Sequence, residues 1–150
     1  MKHPDLYRFL GVVRVPPFWI GVPGVVRDIH NQVTGALYLR RVYLGPRVYL
    51  HKIAQADSDR HLHNHPWTWA WSLILAGGYL EDRRRYDSQH AVYMREFSAG
   101  AHNLLRAGDY HCIRSVRPGT WTLFVTGKRA SSWGFWIPTL GHVDHEVYFQ

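Results

Sequence analysis

Leu73-Ile74-Leu75-Ala76-Gly77-Gly78-Tyr79-Leu80-Glu81 reads as an apolar strand, a glycine turn and a returning strand. The pattern repeats outward from it. Short runs rich in Tyr, Val, Leu, Ile, Thr and Trp span Ala36 to Leu44, Val48 to Ala54, His61 to His65, Trp69 to Leu75, Tyr79 to Arg84 and Val92 to Phe97. They continue over Asn103 to Leu105, Tyr110 to Val116, Trp121 to Thr126 and Trp133 to Ile137. Turn residues punctuate them at Gly45-Pro46, Ala99-Gly100, Ala107-Gly108-Asp109, Pro118-Gly119 and Gly127-Lys128. About ten strands with almost no helix predict an all-β antiparallel sandwich or barrel. Residues 1–34, rich in Pro and Gly, read as an irregular arm with a strand or two and one short helical turn at Asp5 to Leu10. Residues 35–150 read as the single domain.

The 150 residues, 46% apolar and 15% aromatic, suffice for one domain with a real core and not for two ordinary ones. Lys plus Arg number 18 against 11 Asp plus Glu, a net charge of +7 that suits an anionic partner. The single Cys112 excludes an intramolecular disulfide and fits a reducing cytoplasm. No apolar run approaches the roughly 20 residues of a membrane span, and the first residues lack the apolar stretch of a signal peptide. A cytoplasmic protein without a membrane partner is expected.

Chemistry concentrates in Arg60-His61-Leu62-His63-Asn64-His65-Pro66-Trp67. Alternate residues of an extended chain leave on one face, so His61, His63 and His65 are expected side by side. Imidazole favours divalent iron, zinc, copper and nickel, so such a convergence reads as the start of a metal site. A further histidine, His111, follows the turn Arg106-Ala107-Gly108-Asp109-Tyr110.

At this point the chain resembles the cupin superfamily. His63-Asn64-His65 with Gly77 resembles that family's first motif, and Gly108 with His111 its second, over roughly residues 36 to 138. More narrowly, Leu62 to Trp67, Gly77 to Glu81 and Trp121 to Leu123 resemble small bacterial and phage cupins. The resemblance implies a jelly roll, a double-stranded β-helix, whose cavity holds a divalent metal on His63, His65 and His111. Iron is expected first, with zinc, manganese or nickel as alternatives. Many cupins add a Glu ligand about five residues after the second His, where this chain has Ala70. Glu81 is the best substitute, and without it the site resembles the three-histidine iron centre of cysteine dioxygenase. The Ser-His-Tyr set of that enzyme has no counterpart here.

Several readings remain open on the residues themselves. His61 shares parity with His63 and is an alternative ligand. Arg41, Arg47 and His51, on the two strands before the histidine run, are candidates to bind a small anionic substrate through a guanidinium fork. Dioxygenase-like chemistry is the leading function. Isomerisation or epimerisation of a sugar or sugar phosphate, with Tyr79 and Glu81 as acid and base, is the second, and a non-catalytic basic module for nucleic acid or protein is the third. Arg83-Arg84-Arg85 invites the nucleic-acid reading but is taken first as a charged hairpin tip or edge strand. Trp67, Trp69 and Trp71 are read as core and cavity wall. Cys112, next to a ligand, should face away from it as a buried thiol. Exposed edge strands make a homodimer a fair expectation.

Overall fold

The computed structural model describes residues 5–9, 11–31, 33–88 and 91–150. Among them are β1 (Leu6–Phe9), β2 (Val12–Val13), a 3-10 turn (Pro17–Trp19), β3 (Val25–His30), β4 (Leu37–Gly45), β5 (Val48–Ile53) and β6 (Leu62–His63). β7 (Trp69–Ala76), β8 (Gly78–Arg84), β9 (Tyr93–Ser98), β10 (His102–Arg106) and β11 (Tyr110–Val116) follow. β12 (Thr120–Thr126), β13 (Gly134–Ile137), β14 (Gly141–Asp144) and a single helical turn, α1 (His145–Tyr148), complete the order. Two antiparallel sheets result, ordered β10-β7-β12-β5-β4-β3-β1-β2 and β14-β13-β6-β11-β8-β9. The fold is all-β, two antiparallel sheets as a jelly roll requires.

Alternation decides what lies between the sheets. Tyr49, His51 and Ile53 of β5, Ala70, Ser72 and Ile74 of β7, and Tyr79, Glu81 and Arg83 of β8 are buried at every second position. Ile53, Ile74, Tyr79, Phe97 and Ile113 form one apolar cluster. Val25, Tyr43 and Tyr49, with Phe9 and Phe124 against them, form another. The Gly77-Gly78 turn is pinned beneath: Thr120 Oγ1 accepts from Gly78 N at 2.9 Å, and a Cβ on either glycine would collide with Thr120 or with the Phe97 carbonyl. Gly77 also needs φ +69, which glycine adopts without strain.

Four expectations are corrected. The turn expected at Asp5 to Leu10 is a strand over Leu6–Phe9, because β3 pairs along it from Asp28 to Val25; Leu10 itself lies outside the described residues. The histidine run stays extended only over Leu62–His63. Asn64 then exchanges hydrogen bonds with Gly134, donating through N to its O at 3.0 Å and accepting from its N at 2.7 Å through Oδ1. Pro66 has no N–H with which to continue a ladder. The three histidines therefore do not share one strand face. Arg83 and Arg84 are not a solvated tip: Arg83 is 2% exposed, and the Arg84 guanidinium lies 3.8 Å from the Trp136 ring centre. Finally, Trp69 and Trp71 point away from the core, and only Trp67 reaches the cavity.

Candidate metal centre

His63 leaves β6 beside β11, and the strand register sets it directly opposite His111. The Gly108-Asp109 turn holds His111 at that height, since Asp109 accepts from Arg106 N and Tyr86 N at 3.0 Å each. His65 arrives from the loop after the Asn64–Gly134 exchange, and its ring stacks on Trp67. One ring nitrogen from each of His63, His65 and His111 lies within 4.8 Å of the others. His61 is turned elsewhere, its Nδ1 3.0 Å from the Tyr148 hydroxyl.

Donor chemistry and geometry fit a divalent transition metal. Burial pushes His63 down to about 4 and His65 well below the usual imidazole value, so both stay neutral and keep a lone pair near pH 7. The Nε2 atoms of His65 and His111 are 2.8 Å apart. Two nitrogens each about 2.1 Å from one ion at a right angle would stand about 3.0 Å apart. His63 Nδ1 and His111 Nδ1 are buried without a hydrogen bond.

Glu81 sits behind the triad. It is fully buried, its Oε1 accepts from Arg83 Nε at 2.8 Å, and its Oε2 accepts from Asn103 Nδ2 at 2.7 Å. Oε2 is also 3.4 Å from His111 Nδ1, the nitrogen remote from His65. Burial alone would raise this carboxyl; His111 and the Arg83 guanidinium outweigh it and hold the group below the ordinary carboxylate value. Glu81 is not among the residues whose donor atoms converge with the three imidazole nitrogens. The Asn103 amide also donates to the Tyr79 hydroxyl at 2.9 Å, and burial, then the Glu81 charge, pushes that phenol up to about 12.

A cavity of about 130 Å³ opens in front of the histidines. Tyr38, Arg41, His51, Ser72, Tyr79, Asn103, Thr122 and Phe124 are among its walls. Arg41 Nε donates to His51 Nε2 at 2.9 Å, and its guanidinium lies over the Tyr49 ring, 4.8 Å from the centre. Burial, then the neighbouring Arg41, drives His51 well below its usual value, so it is a neutral acceptor. Arg47 is in the exposed β4–β5 turn and does not line the cavity. Cys112 faces away from the site, where burial pushes its thiol up to about 12.

Asn103, Arg83 and Thr122 are the site residues that sequence reading missed. Their signal is parity: Arg83 alternates with Tyr79 and Glu81, Asn103 with Leu105, and Thr122 with Thr120 and Phe124.

Two antiparallel sheets thus enclose three convergent imidazoles, a donor set that could hold a metal ion. No family model and no curated protein matches the chain. Among solved structures it is similar to recombinant oxalate oxidase in complex with glycolate, at 18% identity over 62% of this chain and 49% of that one, TM-score 0.45. It is also similar to Fe(II)-HppE with the alternative substrate (S)-1-HPP, at 11% identity over 81% and 63%, TM-score 0.49. The hydroxypropylphosphonic acid epoxidase from S. wedmorenis shares 10% identity over 85% and 56%, TM-score 0.41. The chain spans about half the length of the oxalate oxidase.

Proposed function

We propose that this chain is a metalloenzyme that binds a divalent metal, iron in the first place, on His63, His65 and His111 and acts on a small anionic substrate. One observation carries the reading: three imidazoles, His111 buried and His63 and His65 partly buried, converge at the wall of a cavity that also contains a guanidinium. Three imidazole nitrogen donors suit iron, zinc, copper or nickel better than magnesium or calcium, and they leave coordination positions open. A metal bound there would supply Lewis-acid activation or oxygen chemistry at those positions.

The chain's own residues divide the remaining work. Arg41 holds the anionic group of the substrate, and His51, accepting from Arg41 Nε, fixes the guanidinium plane. Tyr79 stays protonated throughout the neutral range and offers an O–H to the cavity. Glu81, clamped by Arg83 and Asn103, orients His111. A base role for Glu81, required by the isomerase reading, is poorly served by a carboxylate that lies behind His111 and already faces three partners. Phe124, Trp67 and Leu105 keep the cavity apolar, which strengthens every charge interaction inside it.

The test is metal content by plasma mass spectrometry on protein purified without added metal or chelator, beside His63→Ala, His65→Ala and His111→Ala. Near-stoichiometric transition metal that is lost in all three folded variants supports the reading, and oxygen consumption then serves as the screen for substrates. Absence of metal after reconstitution with iron, zinc, manganese and nickel would overturn it.

A further inference from the structure

The outer face of the larger sheet does not look like a surface built for water. Register aligns Val26, Val42, Leu50, Leu123 and Leu73 in one unbroken row across β3, β4, β5, β12 and β7, ending at His102 on β10. A second row runs beside it through Val48, Val125, Trp71 and Leu104. Trp121, Trp69 and Leu75 share this face, and Trp69, Leu75 and Leu104 are 40%, 47% and 41% exposed. Charged residues are confined to the margins, where Arg40 is paired with Asp28 and where Lys52 and Arg106 lie. The other sheet is different: its outer face carries the Arg114–Asp82 and Arg117–Glu96 ion pairs. β1 and β2 extend the apolar sheet edgewise, and α1 lies on β13 and β14 of the other sheet.

We infer that this face docks a second copy of the chain, sheet on sheet. Six strands about 4.8 Å apart and four same-face rows about 6.8 Å apart give a footprint of roughly 24 Å by 20 Å between backbones. With side chains overhanging each edge it reaches on the order of 800 Å², the area each partner contributes to an ordinary stable interface. Charge selects the partner. The chain carries +7, so two copies repel unless they meet where charge is absent, and the centre of this face is such a place. A polyanion would instead seek a cationic surface, which the centre does not offer. Two flat apolar sheets pack about 10 Å apart with strands inclined by about 30°. The inference does not rest on the metal reading, since the three histidines project from the other sheet and from the loop after it.

Sedimentation velocity from about 1 to 200 µM reads the outcome without any activity assay. The wild type is expected as a dimer that tightens as salt screens the like charges. Leu123→Glu and Trp71→Glu are expected to weaken it at least tenfold with unchanged far-UV circular dichroism, while Met94→Glu on the other sheet leaves it intact. Acrylamide quenching of the wild-type tryptophans provides a readout without substitutions and should rise as dilution dissociates the dimer. A wild type that stays monomeric at 200 µM in high salt would overturn the inference. So would a dimer unaffected by either face substitution, or dissociation with no change in quenching. A monomer that instead binds nucleic acid or anionic vesicles through this face, with affinity falling as salt rises, would overturn it as well.

Discussion

Oε2 of Glu81 lies 3.4 Å from Nδ1 of His111, on the far side of the ring from Nε2, which faces Nε2 of His65 at 2.8 Å. A carboxylate so placed favours the imidazole orientation that turns Nε2 toward the other histidines. Glu81→Gln preserves shape and removes the charge. It is expected to lower metal affinity about 10–100-fold. Leaving the buried Arg83 charge without its counter-charge should also cost about 3–5 kcal/mol of stability. Adding Arg83→Met should recover much of the stability and none of the affinity. Competition with a metallochromic chelator, beside urea unfolding, separates the two effects; unchanged affinity in Glu81→Gln would remove the orienting role.

Buried neutral histidines predict acid sensitivity of the metal-free protein. His63 is pushed to about 4, and His65 and His51 well below the usual value, in each case by burial first. The unfolded chain takes up protons near pH 6.5 that the folded chain refuses, so stability is fully present above that value. It falls as pH drops from about 6.5 toward 4, by up to about 1.4 kcal/mol per pH unit for each such histidine. Urea unfolding in chelator between pH 8 and 4 checks this; a flat profile from pH 7 to 5 would contradict it.

The sheets were legible in the sequence because alternation survives wherever one strand face is buried. Tyr49, His51 and Ile53 are buried at alternate positions of the strand expected over Val48 to Ala54, and β11 matches the expected Tyr110–Val116 span. The histidine run was legible as a metal-directed cluster but not as a shape. His65 is placed by a contact between Asn64 and Gly134, seventy residues apart, which no local pattern reports. Arg83 and Arg84 were misread because charge was weighed above parity; a guanidinium can be buried when Glu81, Asn103 and the Leu104 carbonyl surround it. β14 and α1 carry too little apolar periodicity to announce themselves. They are held by tertiary contact, with the Tyr148 ring stacked on Phe135 at 3.8 Å.

His61 offers a clean negative comparison within the same run. Its hydrogen bond goes to Tyr148, outside the triad. His61→Ala is therefore expected to keep full metal occupancy and to cost about 1 kcal/mol of stability for the lost hydrogen bond. Loss of metal in this variant, measured beside His65→Ala, would mean that His61 rather than His63 completes the ligand set.

Arg41 should decide anion affinity without touching the metal. Its Nε is committed to His51, so the rest of the fork is what a carboxylate would meet in the cavity. Arg41→Met keeps much of the aliphatic bulk that lies over Tyr49 and removes the charge. Hydrogen bonds to a charged group contribute about 1.5–3 kcal/mol, so acetate binding should weaken about 10–100-fold. The shift of the visible bands of cobalt-loaded protein on acetate titration reads that affinity, and cobalt stoichiometry in the same sample shows whether the triad is intact. Equal acetate affinity in wild type and Arg41→Met, with cobalt fully bound in both, would place the anion contact elsewhere in the cavity.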